Sequence, residues 1–555
     1  AQTLPYFFIL GIGIDQIFRA VGNTYDPSWT PAYANVQMIL SIVAIITSLV
    51  GLVLSGRQRK GVTVSPDYGL MPFWGGVGLG GMLFLQLSML ATPNAIAGRA
   101  DVDYTNFAPF ITMATLLPLI PWVRRQATSF VGLFDRGTRG WSWMLLIALL
   151  IVFGTRLGGI PAGAALVLAQ FTVSLIWWWL VRPRAERERL FTGLWVIGGA
   201  LVFMMLVAAD NFTYEFAYVQ NMAPELAFLD PIIPPLLRGF RGLGLGVLLL
   251  SVFFAALPMI QTQRRIPWAS ESRGLGTFFS LLVTAGLSIG VAIAVRPPLI
   301  AGVRDVESIR IGTYNIHGGF SEFYDYSLEE IARTIQRSGA DVVLLQQVEN
   351  GRLTSFGVSQ PLWLARRLGM DTRFYPTTEG LHGLAVLSRV EIVFDDGVPL
   401  TSIGSDTGLQ RVQIRPDQGV ITLYNTRLEF LLETGDGRSI AQQEQEQQRQ
   451  LNEIFAILSS RHPDGNLGRT VIGGTFNNIP ASPLADQMRA AGFIDPFAGQ
   501  PPELTATLWR TGYPRVQLDY LWVWRRSVLP VGANTIDTSA SDHRMAVIET
   551  IIRPQ

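Results

Sequence analysis

Between residues 1 and 298 the chain passes through nine long apolar stretches, at about 4–21, 35–55, 70–92, 107–123, 141–157, 161–181, 190–209, 241–260 and 275–296. Runs of roughly 17–25 apolar residues are long enough to cross a bilayer as helices. Glycine and proline recur inside them, which spanning helices tolerate because neighbouring helices re-satisfy the freed backbone groups. A soluble globule has no place for this much contiguous apolar chain. The expectation is an all-α polytopic membrane bundle of about nine spans over residues 1–298. The whole-chain figures agree: 49% apolar, 15% charged and a mean hydropathy of +0.31 are too apolar for an ordinary soluble chain and too mixed for a wholly embedded one.

The basic residues orient such a bundle. Loops after the second, fourth, sixth and eighth stretches hold Arg57, Arg59 and Lys60; Arg124, Arg125, Arg136 and Arg139; Arg182, Arg184, Arg187 and Arg189; and Arg264, Arg265 and Arg273. The other loops hold only Arg99, Arg156, Arg238 and Arg241. Cytoplasmic loops carry the excess of Lys and Arg, so the N-terminus is expected in the cytoplasm. After nine spans, everything past residue 298 is expected on the extracytoplasmic side, whether periplasmic, extracellular or lumenal. The chain starts at Ala1 rather than Met, so further residues are expected upstream. No signal peptide stands apart from the first apolar run. Trp177, Trp178 and Trp179, just before Arg182, read as an interfacial aromatic belt. Asp15 and Arg19, four apart, form an ion pair that either lines a site or sits at the outer interface. Residues 210–240 are too polar and proline-rich to span.

Absences narrow the chemistry. With no cysteine, disulfides, zinc–thiolate sites and cysteine nucleophiles are excluded. A net charge of +1 and the lack of any basic run give no nucleic-acid footprint.

Pro297-Pro298 closes the apolar half, and after a linker over 299–306 the pattern changes. Residues 307–555 alternate short β-rich runs with amphipathic helices. Strands are expected at 309–316, 341–348, 383–389, 420–428, 470–476 and 517–524. A helix follows Ser327, with Ser327 and Glu330 as a capping box, Leu328, Ile331 and Ile335 as its apolar stripe and Gly339 as its stop. A longer helix covers 441–460. Many strands and few helices over this length indicate an α/β two-sheet sandwich rather than a doubly wound sheet.

The strand ends carry six motifs in order: TYNIHGG with Asn315, LLQQV with Gln347, YNTRL with Arg427, GGTFN with Thr475 and Asn477, QLDYLWV with Asp519, and SDHRMAV with Asp542 and His543. In this order they resemble the endonuclease/exonuclease/phosphatase superfamily over nearly all of 307–552. The superfamily includes abasic-site endonucleases, inositol-phosphate phosphatases and neutral sphingomyelinases. Joined to a many-span membrane part, the chain is also similar in architecture to proteins that remodel the lipid of GPI anchors. The resemblance implies phosphodiester chemistry with a divalent metal. A glutamate at the Gln347 position would hold that metal. An aspartate at the Thr475 position would prepare the attacking water, and a histidine at the Arg427 position would touch phosphate. His543, backed by an acid, would stabilise the transition state.

Three of those positions depart from the pattern. Gln347 offers only a carbonyl oxygen to a hard Mg²⁺ ion that prefers carboxylates. The Thr475 hydroxyl is not ionised near neutral pH and is no general base. Arg427 stays protonated and cannot shuttle protons. Glu349 lies on the same strand face as Gln347 but about 6–7 Å further along, two residues of strand rise. Asn315, Asn477, Arg427 and His543 remain as donors for an anion, or as polar residues that satisfy one another. Asp519 and Asp542 either hold Arg427 and His543 or are ordinary strand-end acids. His317 and His382 read as loop residues rather than ligands. The leading expectation is a membrane-anchored member whose hydrolytic site is inactivated, binding an anionic headgroup or a membrane-complex subunit without a metal. The alternative is an active phosphoesterase or lipid-remodelling enzyme, which would need Mg²⁺.

Overall fold

The computed structural model describes residues 4–59, 73–134, 138, 140–180, 192–214, 222, 224–261, 274–298, 300, 302–303, 308–430, 439–524 and 528–552. The chain divides into two units, Ala1–Asp210 with Leu243–Arg296, and Asn211–Gly242 with Pro297–Gln555. The polar segment around 211–242 therefore groups with the C-terminal unit.

In the first unit, a helix occupies each of the nine apolar stretches: Leu4–Val21, Ala34–Arg59, Phe73–Leu85 with a π-helical turn at Gln86–Leu90, Tyr104–Leu116, Trp141–Arg156, Gly159–Leu180, Thr192–Tyr214, Gly244–Ile260 and Gly274–Ala294. Not all of them have the length of a span. Among the described residues, five segments are long and apolar enough to cross a membrane: Ala34–Gly51, Phe73–Leu90, Gly159–Trp178, Gly193–Tyr214 and Gly274–Ala294. A sixth arises only if Tyr104–Leu119 and Pro121–Ala127, bent by 91°, act as one. The bend has a local cause. Pro121 disfavours helical backbone in the residue before it, and Ile120 is extended at φ −85°, ψ 119°. Trp141–Arg156 and Gly244–Ile260 stop at 16 and 17 residues.

No residue of the Ala34–Gly51 window is buried, so its apolar side chains need a hydrocarbon solvent on every face. What is buried includes polar groups. Gln16 and Gln170 both donate from Nε2 to Thr115 Oγ1 at 2.9 Å. Trp177 is not interfacial: it is fully buried, donates Nε1–H to Gln86 Oε1 at 2.9 Å and stacks on Phe8. Asp15 and Arg19 do pair, at 2.8 Å. Of the basic residues on which the expected orientation rests, Lys60, Arg136, Arg139, Arg182, Arg184, Arg187, Arg189, Arg264, Arg265 and Arg273 lie outside the described residues.

In the second unit, β-branched and aromatic residues build twelve strands: β1 (Ser308–Asn315), β2 (Val342–Glu349), β3 (Asp371–Thr378), β4 (His382–Ser388), β5 (Ile392–Leu400), β6 (Thr407–Ile414), β7 (Ile421–Arg427), β8 (Thr470–Thr475), β9 (Phe493–Ile494), β10 (Asp519–Trp524), β11 (Val528–Ile536) and β12 (Met545–Ile552). They form two six-stranded sheets, in the orders β11-β12-β1-β2-β4-β3 and β5-β6-β7-β8-β10-β9. Each sheet has one parallel pair at its centre, β1 with β2 and β7 with β8, and antiparallel pairs elsewhere. Ile309, Ile311 and Leu344 of the first sheet meet Val412, Leu423, Val471 and Leu521 of the second in a dry core. The helix Ile440–Arg461 covers the outer face of the second sheet through Leu451, Ile454 and Leu458. The helix Leu328–Ser338 buries Leu328, Ile331 and Ile335 and stops at Gly339, in the left-handed region at φ 64°. Its capping box does not form. Ser327 instead turns its hydroxyl to the Gly319 and Ala540 carbonyls, tying the helix start to two loops.

Candidate functional site

The parallel pairs send the ends of β1, β2, β7 and β8 to one edge of the sandwich. The antiparallel strands β4, β10 and β12 begin at that same edge. This collects Asn315, Gln347, Arg427, Thr475 and Asp519, with Asn477, Asp542 and His543 in the adjoining loops. Gly474 makes the approach possible. Its φ is 142°, and a Cβ there would overlap the Thr426 carbonyl on β7.

A short hydrogen-bond chain runs through the centre. Asn315 donates Nδ2–H to Thr475 Oγ1 at 3.2 Å. The Thr475 hydroxyl donates to Asp519 Oδ1 at 2.6 Å. Asp519 Oδ2 receives His543 Nδ1–H, also at 2.6 Å. All four residues are buried. Burial opposes a charged His543, but the Asp519 carboxylate and its hydrogen bond outweigh that and hold the imidazole pKa above its usual range. Asp519 is thus the acid behind His543. Neither Asp519 nor Asp542 holds Arg427. Asp542 accepts Trp509 N–H on its backbone carbonyl at 2.8 Å and stands 3.8 Å from His317 Nδ1.

Arg427 is only 8% exposed, yet among the described residues its guanidinium has no hydrogen-bond partner, and its Nε is fully shielded from solvent. Its positive charge is felt at His543. Asn477 spends its Nδ2–H on the Leu428 carbonyl at 2.8 Å. Gln347 sits where β2 bulges between Leu345 and Val348, in the left-handed region at φ 52°, and its carboxamide has no partner among the described residues. Non-glycine residues hold such backbone conformations only where the surroundings over-determine them. Bulges of this kind re-aim a side chain.

Beside Gln347 is a cluster that sequence reasoning treated lightly. Glu349 accepts Arg352 Nη1–H and His382 Nδ1–H on one oxygen, both at 2.9 Å. Its other oxygen is buried without a partner among the described residues. Burial pushes the Glu349 carboxyl up, but Arg352 and His382 together hold it below the usual carboxylate range. The cluster lines a cavity of about 360 Å³ with Gln347, His317, Phe320 and Tyr324. Arg352 also stacks on the Tyr214 ring at 4.0 Å and donates to Asn211 at 3.0 Å. The available signal was the spacing Glu349–Arg352, together with three of the chain's four histidines falling in motif or strand-start positions.

The two-sheet frame and the ordered edge match a known family. Residues 312–543 match the endonuclease/exonuclease/phosphatase family. This region is an endonuclease/exonuclease/phosphatase domain. Solved structures similar to the chain include the endonuclease/exonuclease/phosphatase from Beutenbergia cavernae, with 20% identity, 44% of this chain and 72% of that chain covered, and a TM-score of 0.36. The human Nocturnin catalytic domain gives 18%, 46% and 99%, with 0.35. A family protein from Leptotrichia buccalis gives 17%, 44% and 99%, with 0.34. No curated protein matches the chain.

The donor set of this endonuclease/exonuclease/phosphatase domain does not fit the divalent metal that the fold family implies. The metal-ligand position carries the Gln347 carboxamide. The nearest carboxylate, Glu349, is committed to a guanidinium and an imidazole. Among the described residues no three acidic or imidazole side chains converge on one point.

Proposed function

We propose that the chain is a membrane-anchored endonuclease/exonuclease/phosphatase-type protein that has lost hydrolysis and acts by binding an anionic group at its strand-end site. The observation that carries this reading is Arg427, a nine-tenths buried guanidinium without a hydrogen-bond partner among the described residues, beside an imidazole held toward its charged form by Asp519. A buried cation of this kind is stabilised by an anion, and a guanidinium fits phosphate or carboxylate through paired N–H groups. Hydrolysis lacks its parts. Thr475 supplies a neutral hydroxyl, already donated to Asp519, where a base would stand. A base in that role is typically worth about 10²–10⁴-fold. The loop charges support a cytoplasmic N-terminus and an extracytoplasmic domain, which would present the site to lipid headgroups or to subunits of a membrane assembly.

A second reading, an active phosphoesterase or lipid-remodelling enzyme, is favoured by one observation. The Asp519–His543 pair is intact, and Glu349 lies in a cavity beside Gln347. Calorimetric titration of Mg²⁺ and Mn²⁺ into the detergent-solubilised chain separates the two. The expected result is no binding by the native chain, and binding by the triple variant Gln347→Glu, Arg427→His, Thr475→Asp. Micromolar binding by the native chain would overturn the first reading.

A further inference from the structure

A second pocket of about 510 Å³ opens between the helix Leu328–Ser338, the loop 509–515 and the loop 537–541. Arg427, Gln347 and His543 are not part of its wall. The wall carries three arginines, Arg337, Arg510 and Arg515, and three acids, Glu322, Glu330 and Asp537. The formal charges cancel, but the pairing does not. Each acid is already engaged. Glu330 binds Arg333 at 2.7 Å, Asp537 binds Arg544 at 2.5 Å, and Glu322 accepts the Thr511 amide N–H. None of the three arginines has an acidic partner among the described residues.

Two of them lie against aromatic rings. The Arg515 guanidinium lies 3.8 Å from the Trp509 ring centroid, with Arg544 at 3.2 Å from the same ring, so the indole is sandwiched. Arg510 lies over Tyr513 at 4.7 Å. Arg337 donates to the Thr334 hydroxyl at 3.3 Å and makes no other side-chain hydrogen bond among the described residues. Stacking on a ring uses the face of a guanidinium and leaves its N–H edge free. The pocket therefore presents pre-positioned cations with unspent donors. The amide N–H groups of Ser539 and Ser541, on the same wall, also have no acceptor among the described residues. Donors arriving from three separate elements suit a multi-oxygen dianion better than a single carboxylate.

We propose that this pocket is a second anion site, taking a phosphate-class group carried by a lipid headgroup or by a soluble phosphate compound. It is independent of the Arg427 site. The test is a calorimetric titration of inorganic phosphate into the full chain in neutral detergent, with two variants. The double variant Arg510→Gln, Arg515→Gln changes partly exposed side chains and leaves the core intact. It should lose one phosphate event, with affinity falling about tenfold or more. Arg427→Gln should leave that event unchanged. If the native chain binds phosphate once, Arg427→Gln abolishes it and the arginine double variant does not, the second site is overturned while the strand-end reading stands. If the single event survives Arg427→Gln and is lost in the double variant, the second site stands and the strand-end reading falls. Repeating the titration in phosphatidylcholine nanodiscs with and without phosphatidate identifies the source. Competition by phosphatidate assigns the site to a headgroup; its absence assigns it to a soluble phosphate.

Discussion

The strand-end edge holds two histidine–carboxylate pairs of the same chemistry in opposite electrostatic settings. Asp519–His543 is joined by hydrogen bonds to Thr475 and, through it, Asn315, and among the described residues no guanidinium forms an ion pair with its carboxylate. Glu349–His382 shares its carboxylate with the buried Arg352. In the first pair the histidine carries the perturbation and its pKa rises. In the second the carboxylate carries it and its pKa falls. The contrast shows that two pairs of the same side-chain types at one sheet edge take opposite pKa shifts according to whether a guanidinium shares the carboxylate.

The largest effect should come from breaking the compensated pair. Arg352→Ala leaves Glu349 buried and unbalanced, and should destabilise the C-terminal unit by about 3–5 kcal/mol. Urea denaturation followed by tryptophan fluorescence measures this. The double variant Arg352→Ala, Glu349→Gln should recover a substantial part, and equal losses in both variants would refute the account. Next is the uncompensated pair. Thr475→Val removes the hydroxyl that Asp519 accepts and should cost about 1–3 kcal/mol. Thr475→Asp places a second carboxylate against Asp519, so it should destabilise at neutral pH and relax on acidification, as one of the two acids takes up a proton.

The pH dependences should have opposite signs. His543 has a raised folded pKa, so its contribution is fully present below about pH 6.5 and is lost as pH rises through that raised value. Glu349 has a lowered folded pKa, so its contribution is present above about pH 4.3 and is lost as pH falls through that lowered value. Melting curves of His543→Gln and Glu349→Gln against the native chain should therefore converge at high and at low pH, respectively. Convergence at the same end would break the comparison. The smallest effect belongs to the shared cavity wall. Tyr324 is 67% exposed, and Tyr324→Ala should shift stability by less than about 0.5 kcal/mol.

Much of this edge was legible from residues alone. Asn315, Thr475 and Asp519 lie at strand ends and His543 in the loop before β12, and the strand pattern with its motifs in order located them. The placement of Gln347 on a bulge was not legible, because a one-residue register shift leaves no mark on β-propensity. Nor was the bond from Thr475 to Asp519, since it depends on which antiparallel neighbour β8 acquires. The cluster around Glu349 was hidden for a similar reason: His382, which shares the Glu349 carboxylate oxygen with Arg352, starts a strand 33 residues after it. In the helical part, the apolar runs located a helix in each of the nine stretches, but run length alone does not register the bend before Pro121. Trp177 was misplaced because a tryptophan near an arginine has the same composition whether it faces an interface or donates to Gln86.

The grouping of Asn211–Gly242 with Pro297–Gln555 has a consequence in time as well as in space. Arg241 is held by Asp406 at 3.1 Å, across 165 residues of chain. At typical synthesis rates of about 5–20 residues per second, that separation is roughly 8–33 s. During that interval the ribosome delivers two further apolar helices while the first piece of the C-terminal unit waits for the rest. The unit is thus completed by a late-arriving partner, and its earliest segment is the one most open to proteases and chaperones while the chain is being made.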